Sequence, residues 1–237
     1  MAGKSPSSRS LSFDLVAPFY DLGIWFLALF FGGERRLREK VIEACMPLEG
    51  ALTLEIFAGT ATLALMASKR GARATALDIS AGMLKVAGEK AKKGAERGVA
   101  DRGAWNGGEK GGEQGVGGGL NLVRGDAVGL PFSTCAFERV IVSMGLHEMA
   151  PGEVRSILAE CLRVLKGRGR LVILDYHGAG GGMGLLQKLF FLFTEVAEAR
   201  AWLETDTQGL LTGTGFKNYR RTFLLKGALQ LITVEKK

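Results

Sequence analysis

The chain has 237 residues, of which 47% are hydrophobic and 23% are charged, a balance that excludes wholesale disorder and suits one α/β domain with a substantial core. Its formal net charge is +7, from 31 Lys and Arg against 24 Asp and Glu. The three cysteines are widely spaced and form no CxxC pair, which favours free thiols in a reducing cytoplasm over a disulfide framework.

Residues 1–33 form a predicted apolar N-terminal cap in front of a main domain at 34–237. The polar start of the chain predicts no signal peptide. The apolar run Leu22–Phe31 is too short for the roughly 20 residues that a membrane-spanning helix needs. A second apolar run, Leu185–Phe193, predicts an unusually apolar helix. We expect these runs either to bury each other against a sheet or to form a lid that admits a lipophilic molecule at a membrane surface.

Between these runs the pattern alternates between helices and strands. A charged helix begins at Glu34 and ends before Pro47, and later helices begin near residues 63, 80, 151 and 202. Apolar runs predict five buried strands and a closing pair, at 51–57, 74–77, 120–124, 139–143, 170–175, 216–223 and 228–234. Strands that alternate with helices predict a parallel sheet with helices on both faces.

One segment, residues 94–119, interrupts this pattern. It holds 11 glycines among 26 residues and little apolar content. Such a segment cannot repay the entropy of ordering it, so we predict a disordered insertion. A Gly-rich phosphate cradle is the alternative, but a cradle is short and directly follows a strand.

The turn after the first strand organises the chain. The sequence from Glu55 to Ala61 joins a strand to a helix N-terminus, a unit that brings backbone N–H groups to a ligand. Nineteen residues after Gly59 the second strand ends on Asp78, whose carboxylate can accept both hydroxyls of a ribose. A dinucleotide fingerprint needs glycine at 57, 59 and 62. The pattern for S-adenosylmethionine (SAM) needs an acid at 55 and glycine at 57, 59 and 61, so Phe57 departs from both.

Four later stretches decide between these cofactors. The sequences at 78–84, 125–132, 137–143 and 163–175 resemble, in order and spacing, the motifs of class I SAM-dependent methyltransferases. Ser143-Met144-Gly145-Leu146 and Phe19-Tyr20-Asp21 look most like the ubiquinone/menaquinone C-methyltransferase group. The resemblance implies a Rossmann-like, doubly wound α/β fold of seven strands in the order 3-2-1-4-5-7-6, the last strand antiparallel.

The resemblance also implies how SAM is bound. Asp78 takes the ribose, Asp126 takes the adenine amino group, and Gly59 lets the backbone approach the methionine part. For Asp78 the alternative is a helix-capping or solvated aspartate, and for Asp126 an ordinary turn. The predicted cofactor-binding residues are Glu55, Phe57, Gly59, Thr60, Ala61, Asp78, Ile79, Met83, Asp126, Ala127 and Ser143.

Two histidines are the predicted catalytic residues. His147 and His177 follow the fourth and fifth strands, which are neighbours in the implied order, so we expect both imidazoles to face one pocket. His147 is the first candidate for the base, and Asp175 is expected to orient His177. Structural histidines are the alternative. No close-spaced ligand pair supports a metal site, and we predict none. Tyr20 and Tyr176 are the predicted substrate contacts.

These features together predict a SAM-dependent methyltransferase for a small, apolar molecule, quinone-like or lipid-like, in the cytoplasm or peripheral to a membrane. A SAM-binding protein without catalysis is one alternative, because the glycine turn is weakened. A nucleic-acid methyltransferase is another, since six Lys and Arg against one Glu fall in the last 23 residues. No Asn/Asp-Pro-Pro-aromatic motif follows the fourth strand, which favours a small acceptor. An NAD-dependent oxidoreductase fits poorly, because residues 57 and 62 are not glycine.

Overall fold

The computed structural model describes residues 34–96, 114–116, 119–178 and 197–237. Tyr20, both apolar runs predicted to form a lid and most of the predicted insertion lie outside the described residues. Within the described ranges, no helix is long and apolar enough to cross a membrane.

The centre of the fold is a sheet of eight strands in the order β3-β4-β2-β1-β5-β6-β8-β7. When the short edge strand β3 is left aside, the other seven have the predicted order 3-2-1-4-5-7-6. β8 is antiparallel to both of its neighbours, which confirms the prediction for the last strand. The strands are β1 (Leu52–Ile56), β2 (Arg73–Asp78), β3 (Gln114–Val116), β4 (Leu120–Arg124), β5 (Phe137–Ser143), β6 (Leu165–Tyr176), β7 (Phe216–Leu224) and β8 (Leu229–Lys236).

The described residues form six helices around the sheet. The N-termini of two of them can be compared with the sequence. Ser80 begins the third helix, as predicted, because its Oγ accepts a hydrogen bond from the Met83 N–H at 3.1 Å. The single helix predicted over 202–213 is two helices, since Asp206 accepts from the Gly209 N–H at 3.1 Å and starts a new one. The helices are α1 (Glu34–Cys45), α2 (Thr62–Lys69), α3 (Ala81–Glu96), α4 (Pro151–Val164), α5 (Ala197–Leu203) and α6 (Thr207–Thr214).

The structure departs from the expected disordered insertion at both ends of 94–119. Helix α3 continues to Glu96, and β3 pairs antiparallel with β4, with Gly115 opposite Asn121. An edge strand offers unpaired N–H and C=O groups, and pairing with them requires backbone rather than apolar side chains. A Gly-rich segment can therefore add a short strand that its composition does not predict.

The central strands are buried on both faces. Val140 and Val142 of β5 belong to the apolar cluster that includes α4 residues, whereas Ile141 between them packs with Val41 and Ile42 of α1. β1 lies between β2 and β5. The chain therefore runs from β1 outward through β2 to β4 on one side, and then returns to β5 on the other side of β1. Ligands of such sheets bind where the strand order reverses, outside the carboxyl ends of the strands. We call the region between the carboxyl ends of β1 and β5 the crevice.

Candidate functional site

The loop after β1 has the backbone shape of a three-glycine turn with only one glycine. Phe57, Gly59 and Ala61 have left-handed φ values of 55°, 51° and 54°. These are the three positions at which the SAM pattern has glycine. A left-handed conformation costs a residue with a Cβ about 1–2 kcal/mol. Surrounding contacts must therefore maintain the shape of this loop at Phe57 and Ala61.

One such contact comes from Glu55, beneath the loop. Its Oε2 accepts a hydrogen bond from the Ala64 N–H at 2.7 Å, at the N-terminus of α2, and the residue is 3% exposed. Burial raises the pKa of Glu55 to about 8, against the hydrogen bonds from the α2 N-terminus and the attraction of Arg38. A side chain buried to this extent supports the loop from within. The predicted contact of Glu55 with the cofactor stays a prediction.

A second contact comes from Asp78 at the end of β2. Its Oδ2 accepts from the Gly59 N–H at 2.7 Å, and its Oδ1 accepts from the Ser80 N–H at 2.9 Å. The residue is half-buried. A carboxylate oxygen can accept more than one hydrogen bond, so these two bonds are compatible with the predicted ribose role. The solvated alternative for Asp78 does not fit this arrangement, whereas the helix-capping alternative is compatible with the ribose role.

The Phe57 ring lies against Gly145, just beyond the end of β5. A Cβ added at Gly145 would lie 2.3 Å from Cγ and 2.4 Å from Cδ2 of Phe57. Real Cβ atoms do not approach other atoms so closely, so the phenylalanine at 57 depends on the glycine at 145. Sequence reasoning noted the missing glycine at 57 but not this compensating glycine. The signal was present, because Gly145 follows the strand next to β1.

Most of the remaining predicted cofactor residues lie on the loops at this edge, whereas Met83 lies in the first turn of α3 and Ser143 ends β5. Thr60 Oγ1 accepts a hydrogen bond from Lys90 Nζ at 2.7 Å. Asp126 Oδ1 accepts from the Val128 N–H at 3.0 Å, which is the turn alternative, although a half-buried carboxylate retains a second oxygen for the predicted adenine contact. Thr60, Ala61, Met83 and Ala127 are buried, and Ile79, Asp126 and Ser143 are half-buried.

His147 and Asp175 form a buried pair. The Asp175 carboxylate lies 2.7 Å from His147 Nδ1 and also accepts from the backbone N–H groups of Leu146, at 2.9 Å, and Tyr176, at 2.7 Å. Because a carboxylate only accepts, Nδ1 is the donor and Nε2 carries the free lone pair of the neutral ring. Burial lowers the pKa of His147, but the attraction of Asp175, with a smaller one from Glu148, outweighs it and raises that pKa above 6.5.

His177 has different partners, so the expectation that Asp175 orients it is wrong. Its Nδ1 donates to the Gly227 carbonyl at 3.0 Å, and its ring lies 4.5 Å from that of Phe223. Asp175 points instead to the 3₁₀ turn Leu146–Glu148 after β5. The sequence suggested His177 because the two residues are close in the chain. His177 lies beyond the end of β6, however, where its backbone N–H donates to the Ala228 carbonyl and its ring to that of Gly227.

Two further side chains adjoin the pair. Glu148 Oε1 lies 3.8 Å from His147 Nε2, and its side chain is 47% exposed. Partial burial and the carboxylates of Asp175 and Asp78 raise the pKa of Glu148, so it lies within electrostatic reach of both. The Tyr176 ring meets the His147 ring edge-on at 4.6 Å, and burial with the nearby carboxylates raises the Tyr176 pKa to about 12. Tyr176 is therefore a neutral phenol.

Gly145→Ala tests the contact with Phe57. We expect it to lower the free energy of unfolding by about 1–3 kcal/mol, as overpacking does, and to cost much less in a Phe57→Ala background. Chemical denaturation of the four proteins of this double-mutant cycle gives the coupling. Gly152→Ala is the matched control, since a Cβ there meets nothing within 4 Å. Equal costs of Gly145→Ala in both backgrounds would contradict the contact.

Glu55→Gln tests the buried carboxyl group. The folded pKa, about 8, exceeds the ordinary value of 4.5, so the folded state binds the proton more tightly and stability falls as pH rises between these values. Glutamine imitates the protonated acid. The free energy of unfolding of the variant should therefore lack this decrease with pH, which in the parent has a slope of at most about 1.4 kcal/mol per pH unit. Denaturation at several pH values measures it, and parallel profiles would show that Glu55 is ionised in the folded state.

Comparison with known proteins agrees with this geometry. The sequence profile described as "Methyltransferase domain" matches residues 54–173, about half of the chain. The demethylmenaquinone methyltransferase of Thermobifida fusca is 37% identical over 173 residues, which are 73% of this chain and 63% of that protein. The chain thus spans less than two thirds of the length of this relative.

Solved structures show the same fold at low identity. The magnesium protoporphyrin IX methyltransferase of Synechocystis, solved with bound S-adenosylhomocysteine (SAH), matches with a TM-score of 0.61 and 19% identity over 85% of this chain and 83% of that one. The [4+2]-cyclase SpnF matches with a TM-score of 0.65 and 17% identity over 100% of this chain and 97% of that one. With the glycine-type loop, the carboxylate at the end of β2, the strand order and the profile match, the chain belongs to the class I SAM-dependent methyltransferases.

Proposed function

We propose that the protein methylates a small, quinone-like acceptor with SAM. The observation that supports this most directly is the pair of His147, after β5, and Asp175, in β6. Gly145, two residues before His147, lies against Phe57 of the loop predicted to bind the cofactor. When bound, SAM would supply an electrophilic methyl group, which the acceptor would attack in line as the bond to sulfur breaks and SAH leaves. The protein contributes binding, orientation, exclusion of water and the removal of a proton.

The loop after β1 and the end of β2 suit SAM by their donors and acceptors. Residues 57–61 turn the backbone towards the crevice at the N-terminus of α2, where N–H groups favour a carboxylate such as that of the methionine part. Asp78 provides two acceptor oxygens for the ribose hydroxyls. The residues present therefore fit the cofactor, and we assign its binding to this edge of the sheet.

His147 is the proposed proton acceptor. Asp175 binds Nδ1–H and fixes the ring, so Nε2 is the atom that receives a proton from the acceptor. Methylation of a carbon, or of a neutral hydroxyl, releases such a proton. The raised pKa of His147 strengthens it as a base and moves its working range to higher pH.

The quinone-like acceptor is inferred from the likeness to demethylmenaquinone methyltransferase, 37% identical over the matched region. An electron-rich aromatic ring is a carbon nucleophile once its hydroxyl loses a proton, which is the step that His147 is placed to assist. A demethylated quinol, incubated with methyl-labelled SAM and the protein, should become labelled. If the labelled methyl group is transferred to none of the quinols tested, quinols are excluded as the acceptor.

A SAM-binding protein without methyl transfer is the second candidate. It is favoured by Phe57, whose side chain adds bulk at a position where the SAM pattern has glycine. Conversion of SAM to SAH in the presence of the acceptor separates the two functions. Binding without conversion would support this second candidate.

Asp78→Ala tests the cofactor site. A hydrogen bond to a charged group contributes about 1.5–3 kcal/mol, so SAM affinity should fall about 10- to 100-fold by calorimetry. Asp206→Ala is the matched control, because it also removes a carboxylate that accepts a backbone N–H, but at α6. Unchanged SAM affinity in a folded Asp78→Ala protein would refute the ribose assignment.

His147→Ala should lower turnover by about 10²- to 10⁴-fold, as loss of a general base does, while SAM affinity stays near that of the parent. In the parent, turnover should rise with pH through a midpoint above 6.5 and then become constant, because only the neutral ring accepts a proton. Asp175→Asn should move this midpoint to lower pH. His177→Ala serves as the control, with near-parental turnover, since its ring binds Gly227. A profile that Asp175→Asn does not shift would exclude His147 as the base.

A further inference from the structure

We propose that the Phe57 ring forms one side of the cofactor crevice and favours the positively charged sulfonium of SAM over the neutral thioether of SAH. The inference rests on SAM being the cofactor, as proposed above. It concerns a residue at which this chain departs from the glycine of the SAM pattern, so the pattern itself does not assign it.

The first support is the backbone of Phe57. Its φ of 55° is left-handed, a conformation that glycine adopts freely and that costs a residue with a side chain about 1–2 kcal/mol. Residues in such conformations persist where the surroundings impose them, and they concentrate at binding sites. A phenylalanine here therefore calls for a compensating contribution from its ring.

The second support is where the ring lies. Ile56 of β1 is paired with Val142 of β5, so Phe57 and Gly145 follow two neighbouring strands at the point where strand order reverses. The ring contacts the position of Gly145, between these strand ends. Phe57 packs against the apolar cluster that includes Leu146 but is only half-buried, so part of its surface remains accessible.

The third support is the charge around the crevice. Three carboxylates lie at neighbouring strand ends: Asp78 ends β2, Glu148 follows β5, and the buried Asp175 lies near the end of β6. Asp78 and Asp175 both act on Glu148 through space, so the three groups share one region. In the described residues the positive or potentially positive groups beside them include Lys90, Arg124 and His147, which bind Thr60 Oγ1, the Ile79 carbonyl and Asp175 respectively. An aromatic face attracts a cation, and carboxylates nearby add to that attraction.

The simpler interpretation is that the ring only fills the space that Gly145 leaves. The two interpretations differ in one measurable respect. SAM and SAH differ only by a methyl group and the positive charge on sulfur. A ring that only fills space does not respond to that charge, so its loss should change the two affinities by the same factor. A ring that interacts with the sulfonium changes the ratio of their affinities.

Calorimetry of SAM and SAH with the parent, Phe57→Leu and Phe57→Tyr measures this ratio. Leucine keeps an apolar side chain without a π face, whereas tyrosine keeps the face. We expect Phe57→Leu to weaken SAM about 2- to 30-fold, the range of one cation–π contact, and SAH less than about 2-fold. Phe57→Tyr should keep the parental ratio. If Phe57→Leu does not fold, Phe57→Met replaces it with the same expectation.

The outcomes separate this inference from the proposed function. SAM and SAH affinities that fall by the same factor in Phe57→Leu, or that do not change, would overturn the role of the ring and leave the cofactor assignment intact. A parent that binds neither molecule would refute the cofactor assignment and the inference with it. A ratio that falls in Phe57→Leu and is kept in Phe57→Tyr would establish the aromatic contact.

Discussion

The hydrogen bond from the Gly59 N–H to Asp78 Oδ2, at 2.7 Å, is the contact on which the site depends. It joins the loop after β1 to the end of β2, and Glu55 supports the same loop from below through the Ala64 N–H at 2.7 Å. Two residues with side chains, Phe57 and Ala61, are left-handed here, at a combined cost of about 2–4 kcal/mol. The hydrogen bond to the charged Asp78 contributes about 1.5–3 kcal/mol, and the one to Glu55, which burial keeps protonated at neutral pH, about 0.5–1.5 kcal/mol. Together the two bonds are of the same size as the cost of the missing glycines.

Asp175 performs a similar task on the other side of the crevice. A fully buried carboxylate is costly unless its lone pairs are satisfied, and Asp175 accepts hydrogen bonds from Leu146, His147 and Tyr176. These bonds fix the short turn after β5 and the imidazole within it. Both halves of the site are thus built in the same way, by a carboxylate at a strand end that binds the backbone of a neighbouring loop. The strand order brings the two halves together.

The architecture was predictable because it depends on local periodicity. Apolar runs predicted the buried strands, and Ser80 was predicted to begin a helix. The order of the strands followed from the motif resemblance. Contacts between distant parts of the chain were not predictable in this way. Asp175 and His147 are 28 residues apart, and the sequence alone associated Asp175 with the nearer His177, although His147 was already the first candidate for the base. The edge strand β3 was missed because its pairing uses backbone groups, which composition does not reveal.

The pairing of Phe57 with Gly145 shows why the departure from the glycine pattern is stable once present. Replacing Phe57 by glycine alone would remove the backbone strain but leave a void where the ring meets the end of β5. Such voids cost stability roughly in proportion to their volume. The opposite order, in which residue 145 gains a side chain while Phe57 is still present, would place the new Cβ 2.3 Å from the ring. Neither single change is favourable, so the two residues behave as one unit. A loop whose pattern has glycine at this position therefore carries an aromatic ring at the end of β1, and the glycine that makes room for the ring comes from the end of the neighbouring strand.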